Sequence, residues 1–366
     1  MKLIHCADLH LDSKMDTNLE KEKAKERKRE ILDTFERMVA YAAANGVSAI
    51  LIAGDMFDVK NISATARNTV LHSIIEHSGI TFYYLRGNHD SDNFLSGLEK
   101  MPKNLKMFNS EWTSYSEAGG KVSIWGIELS DKNTGSIYTS LLLEPDKFNI
   151  VMLHGQESQS AAKDKAEIIN LKALRNKGID YLALGHVHMN KVEKLDARGT
   201  YCYAGCLEGR GFDECGERGF MLLDIDENSG AYTYQFIPFA KRRLYTVDVD
   251  VTGCQTTAEM ASRARQELKN AGCGSDALVK IVLKGELDVE CEKDVTYLKA
   301  QFGSQFYFIK VYDETSLKID VDDYMLDQSL KGEYVRQVMN DEAISDEDKK
   351  IIIRYGLQAI AGEEVQ

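Results

Sequence analysis

Five short clusters hold most of the residues in this 366-residue chain that could bind a metal ion. They are Asp8-x-His10, Gly54-Asp55-x-x-Asp58, Gly87-Asn88-His89-Asp90, His154-Gly155 and Gly185-His186-Val187-His188. Five of the eight histidines fall inside them. Imidazole, carboxylate and amide oxygen suit Mn2+, Fe2+ or Zn2+, and no cluster offers a thiolate. The donors are too many for one ion and match two ions bridged by a shared carboxylate. Any single cluster is ordinary, because a buried histidine or an Asp–His hydrogen bond is common. The weight comes from all five lying just past an expected strand, since loops at strand ends converge over one edge of a sheet.

The elements that must position these loops can be read from periodicity. Lys2–Cys6, Ser48–Ala53 and Ile80–Leu85 are apolar runs of strand length, each leading into a cluster. Between them, Glu20 to Asn45 and Ala64–His77 have helical spacing, and Asn45-Gly46 provides a C-cap for the first. Shorter strands follow at Lys121–Gly126, Asn149–Leu153, Tyr181–Leu184, Lys191–Leu195, Tyr201–Ala204, Phe220–Ile225 and Thr233–Ile237, with one helix expected over Lys165–Asn176. This order predicts a two-layer sheet core with helices on its outer faces. A boundary is expected near Pro238–Arg243. Beyond it, Tyr245–Val251, Ala277–Lys284 and Phe306–Tyr312 read as strands, and Ala258–Asn270 and Glu292–Phe302 as helices. The chain would close with helices over Asp323–Met339 and Asp346–Ala361. The expected division is a domain over 1–240, an α+β cap over 241–315 and a helical tail over 316–366.

The five clusters in this order resemble the calcineurin-like metallophosphoesterase superfamily over about residues 1–240. Within it the chain looks most like the SbcD-type DNA repair exonucleases, especially the YhaO-like bacterial branch. The resemblance is carried further by Ile4-His-Cys-Ala-Asp-Leu-His-Leu-Asp-Ser13, by Tyr203-Ala-Gly205, and by Gly209-Arg210 with Glu214-x-Gly216-x-x-Gly219. It implies a four-layer α/β/β/α sandwich with a small C-terminal α+β cap and a helical tail. It implies two divalent ions, Mn2+ first and Fe2+ or Zn2+ as alternatives. By motif position, Asp8, His10, Asp55 and His188 would hold one ion. Asp55, Asn88, His154 and His186 would hold the other. His89 would face the scissile phosphate as a general acid, oriented by Asp90, while Asp58 would hold a ligand or its loop. Arg210 is a candidate for substrate binding, with a loop salt bridge to Glu214 as the alternative. Two dications ligated by two aspartates keep a charge of about +2, enough to draw in a phosphodiester. Two ions about 4 Å apart activate water and stabilise the phosphoryl transition state.

The implied activity is a two-metal DNA phosphodiesterase, an exonuclease with endonuclease action also open, serving as the nuclease subunit of an SMC-like ATPase–nuclease repair complex. DNA, an SbcC-type coiled-coil ATPase and a second copy of the chain are the implied partners. One rival is a hydrolase of cyclic nucleotides or other small phosphate esters. A phosphoprotein phosphatase fits less well, because such enzymes continue with Asp-Arg-Gly and with Glu after the histidine, where this chain has Asp58-Val59-Lys60 and Asp90. The other rival is a non-catalytic scaffold for an ATPase, which the intact ligand positions disfavour.

Composition sets the remaining bounds. The length calls for two or three domains, and 43% hydrophobic residues can fill their cores. No run of about 18 apolar residues occurs, so no membrane span is expected. The first residues have too short an apolar stretch for a signal peptide. Seven cysteines without regular spacing point to a reducing cytoplasm. Cys202, Cys206 and Cys215 lack a fourth zinc ligand at a recognisable spacing. The net charge of −13 is adverse to DNA, but from Asp313 onward 14 acidic and 6 basic residues account for −8 of it. Lys21, Lys25 and Arg29 form a basic helical stripe beside Glu22, Glu26 and Glu30. A solvated, salt-bridged face is expected there ahead of a track for a DNA backbone. Leu326, Leu330, Val335, Val338, Ile352, Tyr355 and Ile360 form apolar faces that need a partner, either the ATPase, the chain's own cap or a second copy.

Overall fold

The computed structural model describes residues 1–15, 19–58, 62–90, 94–96, 98, 100–158, 167–288, 291–318 and 321–361. The chain divides into two compact units, Met1–Arg243 and Leu244–Gln366. The strands of the first unit are β1 (Lys2–Cys6), β2 (Ala49–Ala53), β3 (Thr81–Leu85), β4 (Leu105–Met107), β5 (Thr113–Glu117), β6 (Val122–Gly126) and β7 (Phe148–His154). They continue as β8 (Gln156–Ser158), β9 (Ile168–Asn170), β10 (Tyr181–Gly185), β11 (Lys191–Lys194), β12 (Thr200–Tyr203), β13 (Gly219–Ile225) and β14 (Tyr232–Pro238). One six-stranded sheet has the order β14-β13-β1-β2-β3-β4 and the other β11-β12-β10-β7-β6-β5. The strands that lead into the five clusters, β1, β2, β3, β7 and β10, pair parallel within their sheets.

Side-chain alternation explains the layering. β2 is apolar at every position, so both of its faces must be covered. Leu3, Leu51 and Tyr83 point between the sheets and share a core with Ile150, Met152, Tyr181 and Ala183. Ile4, Ile50, Ile52 and Phe82 point the other way. They pack on Ile31, Phe35 and Met38 of helix α1 (Lys21–Ala44) and on Val70 and Ile74 of α2 (Ala64–Glu76). Behind the second sheet, Val151, Leu153, Leu182 and Leu184 meet Ile137 of α3 (Ile137–Ser140) and Leu171 and Leu174 of α4 (Leu171–Leu174). The result is the expected α/β/β/α sandwich. His5 lies in the inter-sheet core with Nδ1 2.9 Å from Tyr181 Oη, and burial drives its pKa down to about 3.

Two expected helices come out differently. Lys165 and Ala166, the start of the expected Lys165–Asn176 helix, lie outside the described residues. The rest divides into β9, paired with β8, and the single turn α4. Asn170 caps that turn by accepting from the Ala173 N–H, and Arg175 already leaves it in extended geometry at ψ 144°. In the second unit, Asp323–Met339 is not one helix. It breaks into α7 (Val321–Leu326) and α8 (Leu330–Asn340), because Ser329 turns out of helical geometry and caps α8 from the Lys331 N–H.

That unit also holds a parallel sheet of β15 (Leu244–Asp250), β16 (Leu278–Leu287) and β17 (Phe308–Leu317), covered by α5 (Thr257–Asn270) and α6 (Val295–Phe302). Val335 and Val338 of α8 pack on Ile353 and Leu357 of α9 (Asp346–Ala361). The chain therefore covers part of the apolar tail itself, whereas Leu326 and Leu330 stay exposed. Among the described residues no helix is long and apolar enough to cross a membrane.

The acidic stripe on α1 is not fully solvated. Glu30 is buried, as is Arg27 one turn before it. Arg27 donates to Glu30 at 2.6 Å, to Glu208 at 3.0 Å and to the Gly209 carbonyl at 3.0 Å. Glu208 also accepts from Thr34 Oγ1 at 2.8 Å, and Glu30 from Arg242 at 2.7 Å. This network ties α1 to the segment after β12 and to the end of the unit. Replacing Arg27 with Met leaves two buried carboxylates without the cation between them. We expect a loss of about 3–5 kcal/mol in urea unfolding. Burial alone would raise the Glu30 pKa, but hydrogen bonds from Arg242, Arg27 and Lys241 hold it at about 2, below its ordinary 4.5. Its stabilisation is therefore complete above pH 4.5 and is lost as pH falls toward 2. In Glu30→Gln, unfolding measured across that interval should lack this component.

Candidate metal centre

The loops after β1 and β2 stay paired beyond their strands. Asp8 N–H donates to the Gly54 carbonyl at 3.1 Å, His10 N–H to that of Asp55 at 2.9 Å, and Leu11 N–H to that of Met56 at 2.8 Å. This extension requires unusual backbone. Asp8, His10, Asp12, Asp55 and His186 all have positive φ, in a region where side chains other than glycine are strained. Two glycines let the sheets approach at this edge. A Cβ on Gly185 would lie 1.8 Å from the Ala53 carbonyl oxygen, and one on Gly54 2.0 Å from His154 Nδ1.

The approach brings the donors together. Three groups place ligand atoms within 4.8 Å of one another: Asp8, His10 and His188; Asp8, Asp55 and His154; and His10, Asp58 and His89. His10 Nε2 and His188 Nε2 stand 3.1 Å apart. His154 Nε2 is 3.0 Å from Asn88 Oδ1 and 3.3 Å from Asp55 Oδ2. His186 joins none of the three groups. Its ring lies edge-on to His154 with centroids 5.4 Å apart, and its backbone N–H donates to Asp8 Oδ1 at 2.9 Å. The other histidines are elsewhere: His72 pairs with Glu76, and His77 with the Ser73 carbonyl. None of the cysteines enters such a group among the described residues.

This donor set fits divalent metal. His188 commits Nδ1 to Glu214 at 2.7 Å and His154 commits Nδ1 to the Ala53 carbonyl at 2.9 Å, which leaves Nε2 of each for the interior of the site. His10 Nδ1 is buried with Asp58 Oδ1 3.3 Å away, which leaves its Nε2 beside that of His188. Asp8 and Asp55 are almost wholly buried within the same group. Burial pushes Asp8 up to about 6 despite the charges of His154 and His188. For Asp55 burial is outweighed by His154 and by the His89 N–H, so its pKa falls. Burial would lower His154, but the hydrogen bond and charge of Asp55 raise it. The pocket thus carries buried negative charge that calls for cations.

One expected role needs correction. Asp90 does not hold His89. Its carboxylate accepts the backbone N–H groups of Gly87 at 2.9 Å, Phe57 at 2.9 Å and Met56 at 3.3 Å, so it fastens the third loop to the second. Among the described residues the carboxylate beside His89 is Asp58, with Oδ1 3.3 Å from His89 Nδ1 and also 3.3 Å from His10 Nδ1. Arg210, expected either toward substrate or in a loop salt bridge, forms that bridge with Glu214 and also points at Asp58 and Ser13. The pairing of Glu214 with His188 has no sequence signal, because the two loops meet only in the folded chain. The same is true of Ser13, which donates to Asp58 Oδ2 at 2.7 Å.

Comparison with known proteins agrees with this geometry. The family model described as calcineurin-like phosphoesterase matches residues 1–190. The chain is 28% identical over 298 residues to the uncharacterized metallophosphoesterase YhaO of Bacillus subtilis, covering 78% of this chain and 72% of YhaO. It is 26% identical over 322 residues to the DNA double-strand break repair protein Mre11 of Methanopyrus kandleri, covering 79% and 69% of the two chains. With Mre11 of Sulfolobus acidocaldarius the identity is 24% over 388 residues, covering 96% and 94%.

Gly87 offers a direct test of the centre. A Cβ there would sit 2.1 Å from Asp55 Oδ1 and 2.6 Å from the Asp55 backbone nitrogen. Gly87→Ala must therefore displace Asp55 or the loop. We expect Mn2+ affinity by calorimetry to fall at least about tenfold, with far-ultraviolet circular dichroism unchanged.

Proposed function

The chain belongs to the calcineurin-like phosphoesterase family, and from that premise we propose that it is a two-metal DNA phosphodiesterase. The observation that carries this reading is the meeting of Asp8, His10, Asp55, Asn88, His154 and His188 at one edge of the sandwich, with His89 set beside them. In this reading Asp8, His10, Asp55 and His188 hold one ion, and Asp55, Asn88, His154 and His186 the other. Mn2+ is the first choice and Fe2+ or Zn2+ the alternatives. When bound, the ions supply positive charge against the phosphoryl oxygens and make water nucleophilic near neutral pH.

The chain's own residues do the rest. His186 and His89 present backbone N–H groups to Asp8 and Asp55 and fix the carboxylates that face the ions. The His89 side chain is 47% exposed, the most open of the site histidines that enter an ion pair. Asp58 faces its Nδ1, which leaves Nε2 to meet the substrate. As water's oxygen bonds to phosphorus and its proton passes to solvent, the ester P–O bond breaks and the leaving oxygen takes a proton from that nitrogen. DNA as substrate is supported by the Mre11 relatives, whose similarity runs well past residue 190. An SMC-like ATPase partner and a homodimer belong to the same reading. The exposed Leu326 and Leu330 are the side chains it would assign to docking.

Purified protein with Mn2+ should cleave linear and hairpin DNA. If it hydrolyses bis-p-nitrophenyl phosphate or cyclic nucleotides and leaves both DNA substrates intact, the nuclease reading fails. His89→Gln should keep wild-type Mn2+ affinity and lower kcat by about 10²- to 10⁴-fold. Retained turnover would remove His89 from the role of acid.

A further inference from the structure

We propose that Arg210 is a positioning residue of this centre, whose one guanidinium locks the two carboxylates that back three of the site histidines. The inference rests on the metallohydrolase reading and adds what holds its histidines in place. Arg210 Nη1 donates to Ser13 Oγ at 3.1 Å and lies 3.3 Å from Asp58 Oδ2. Its Nη2 donates to Glu214 Oε1 at 3.1 Å, and its backbone N–H to Glu214 Oε2 at 2.6 Å. Ser13 Oγ donates to the same Asp58 oxygen at 2.7 Å, so serine, arginine and aspartate form a closed ring.

Each carboxylate turns its remaining capacity to imidazole. Asp58 Oδ1 faces Nδ1 of His10 and of His89, and Glu214 Oε1 accepts Nδ1–H of His188. Three histidines that arrive on three different strand-end loops are thereby referred to one cation. The fork geometry matters. A planar guanidinium can hold both carboxylates at fixed directions, whereas an ammonium is a single point charge on a flexible stem. The side chain is only 19% exposed, and both terminal nitrogens already have partners within the protein. Substrate contact is therefore not what its geometry favours. Without the cation, Asp58 and buried Glu214 lose their common anchor, and the back nitrogens of the three rings lose their fixed acceptors.

The test is calorimetric titration of the full chain with Mn2+, without substrate. Arg210→Met should weaken Mn2+ binding by about 10- to 100-fold, and Arg210→Lys by a smaller factor. Glu214→Gln should weaken it too, and the double variant with Arg210→Met should fall short of the product of the two effects. At saturating Mn2+, Arg210→Met should lower kcat and leave KM for bis-p-nitrophenyl phosphate unchanged. Wild-type Mn2+ affinity in Arg210→Met, or a raised KM as its only change, overturns the proposal. Should circular dichroism find Arg210→Met unfolded, wild-type affinity in both Arg210→Lys and Glu214→Gln overturns it equally. Wild-type protein that takes up no Mn2+ would overturn the metallohydrolase reading itself, a result distinct from any of these.

Discussion

Two carboxylates, Asp8 and Asp55, are buried side by side where the two sheets meet, and the surrounding structure answers to that charge. A carboxylate removed from water neutralises itself unless donors or cations replace the lost solvation. Here the replacement comes from loops of both sheets: the His186 N–H for Asp8, and the His89 N–H and His154 for Asp55. Asp8 still sits near 6, so the protein's own donors leave part of its burial cost uncompensated. A cation bound among these donors would offset that shortfall. A site fully satisfied by protein hydrogen bonds would have little reason to take up an ion.

The donors can reach those carboxylates only because the sheets come unusually close at this edge. Gly185 against the Ala53 carbonyl, and Gly54 against His154, leave no room for a Cβ. The strand ends then extend into positive-φ backbone at Asp8, His10, Asp55 and His186, at about 1–3 kcal/mol each. Strain of that size persists only where the surroundings over-determine the conformation. The inter-sheet core of Leu51, Met152, Tyr181 and Ala183, together with the ladder from Asp8 to Met56, provides that constraint. The stability of the sandwich is thus what keeps a strained, charge-bearing edge in place.

Much of this was legible in the sequence. The apolar runs at β1, β2 and β3 foretold buried strands, and the position of each cluster after a strand foretold a common edge. Other parts depended on distances that spacing does not encode. Asp90 is adjacent to His89 in sequence, yet adjacent residues in a turn point apart, and Asp58 from another loop takes its place. Glu30 had the period of a solvated stripe, but Arg242, more than 200 residues later, brings it inside. Helical spacing over 165–176 and 323–339 gave no warning of the capping side chains Asn170 and Ser329, which divide those segments. The positive-φ backbone at non-glycine residues had no sequence signature.

The acidity of the chain is resolved once its carboxylates are sorted by what they face. Asp90 accepts three backbone amides, and Asp12 accepts Ser63 and Lys28, so both build loops rather than field. Asp58 and Glu214 face the outer nitrogens of histidines and share the charge of Arg210. Asp8 and Asp55 point their charge inward among the imidazole nitrogens. Loaded with two dications, such a site would present them, opposed by two carboxylates, to an anionic ester. The net −13 of the chain is not what it encounters, because the Debye length near physiological salt is about 8 Å and screens exposed charge beyond that range. Locally, a loaded centre would be cationic because its other acids face neutral amides and an arginine.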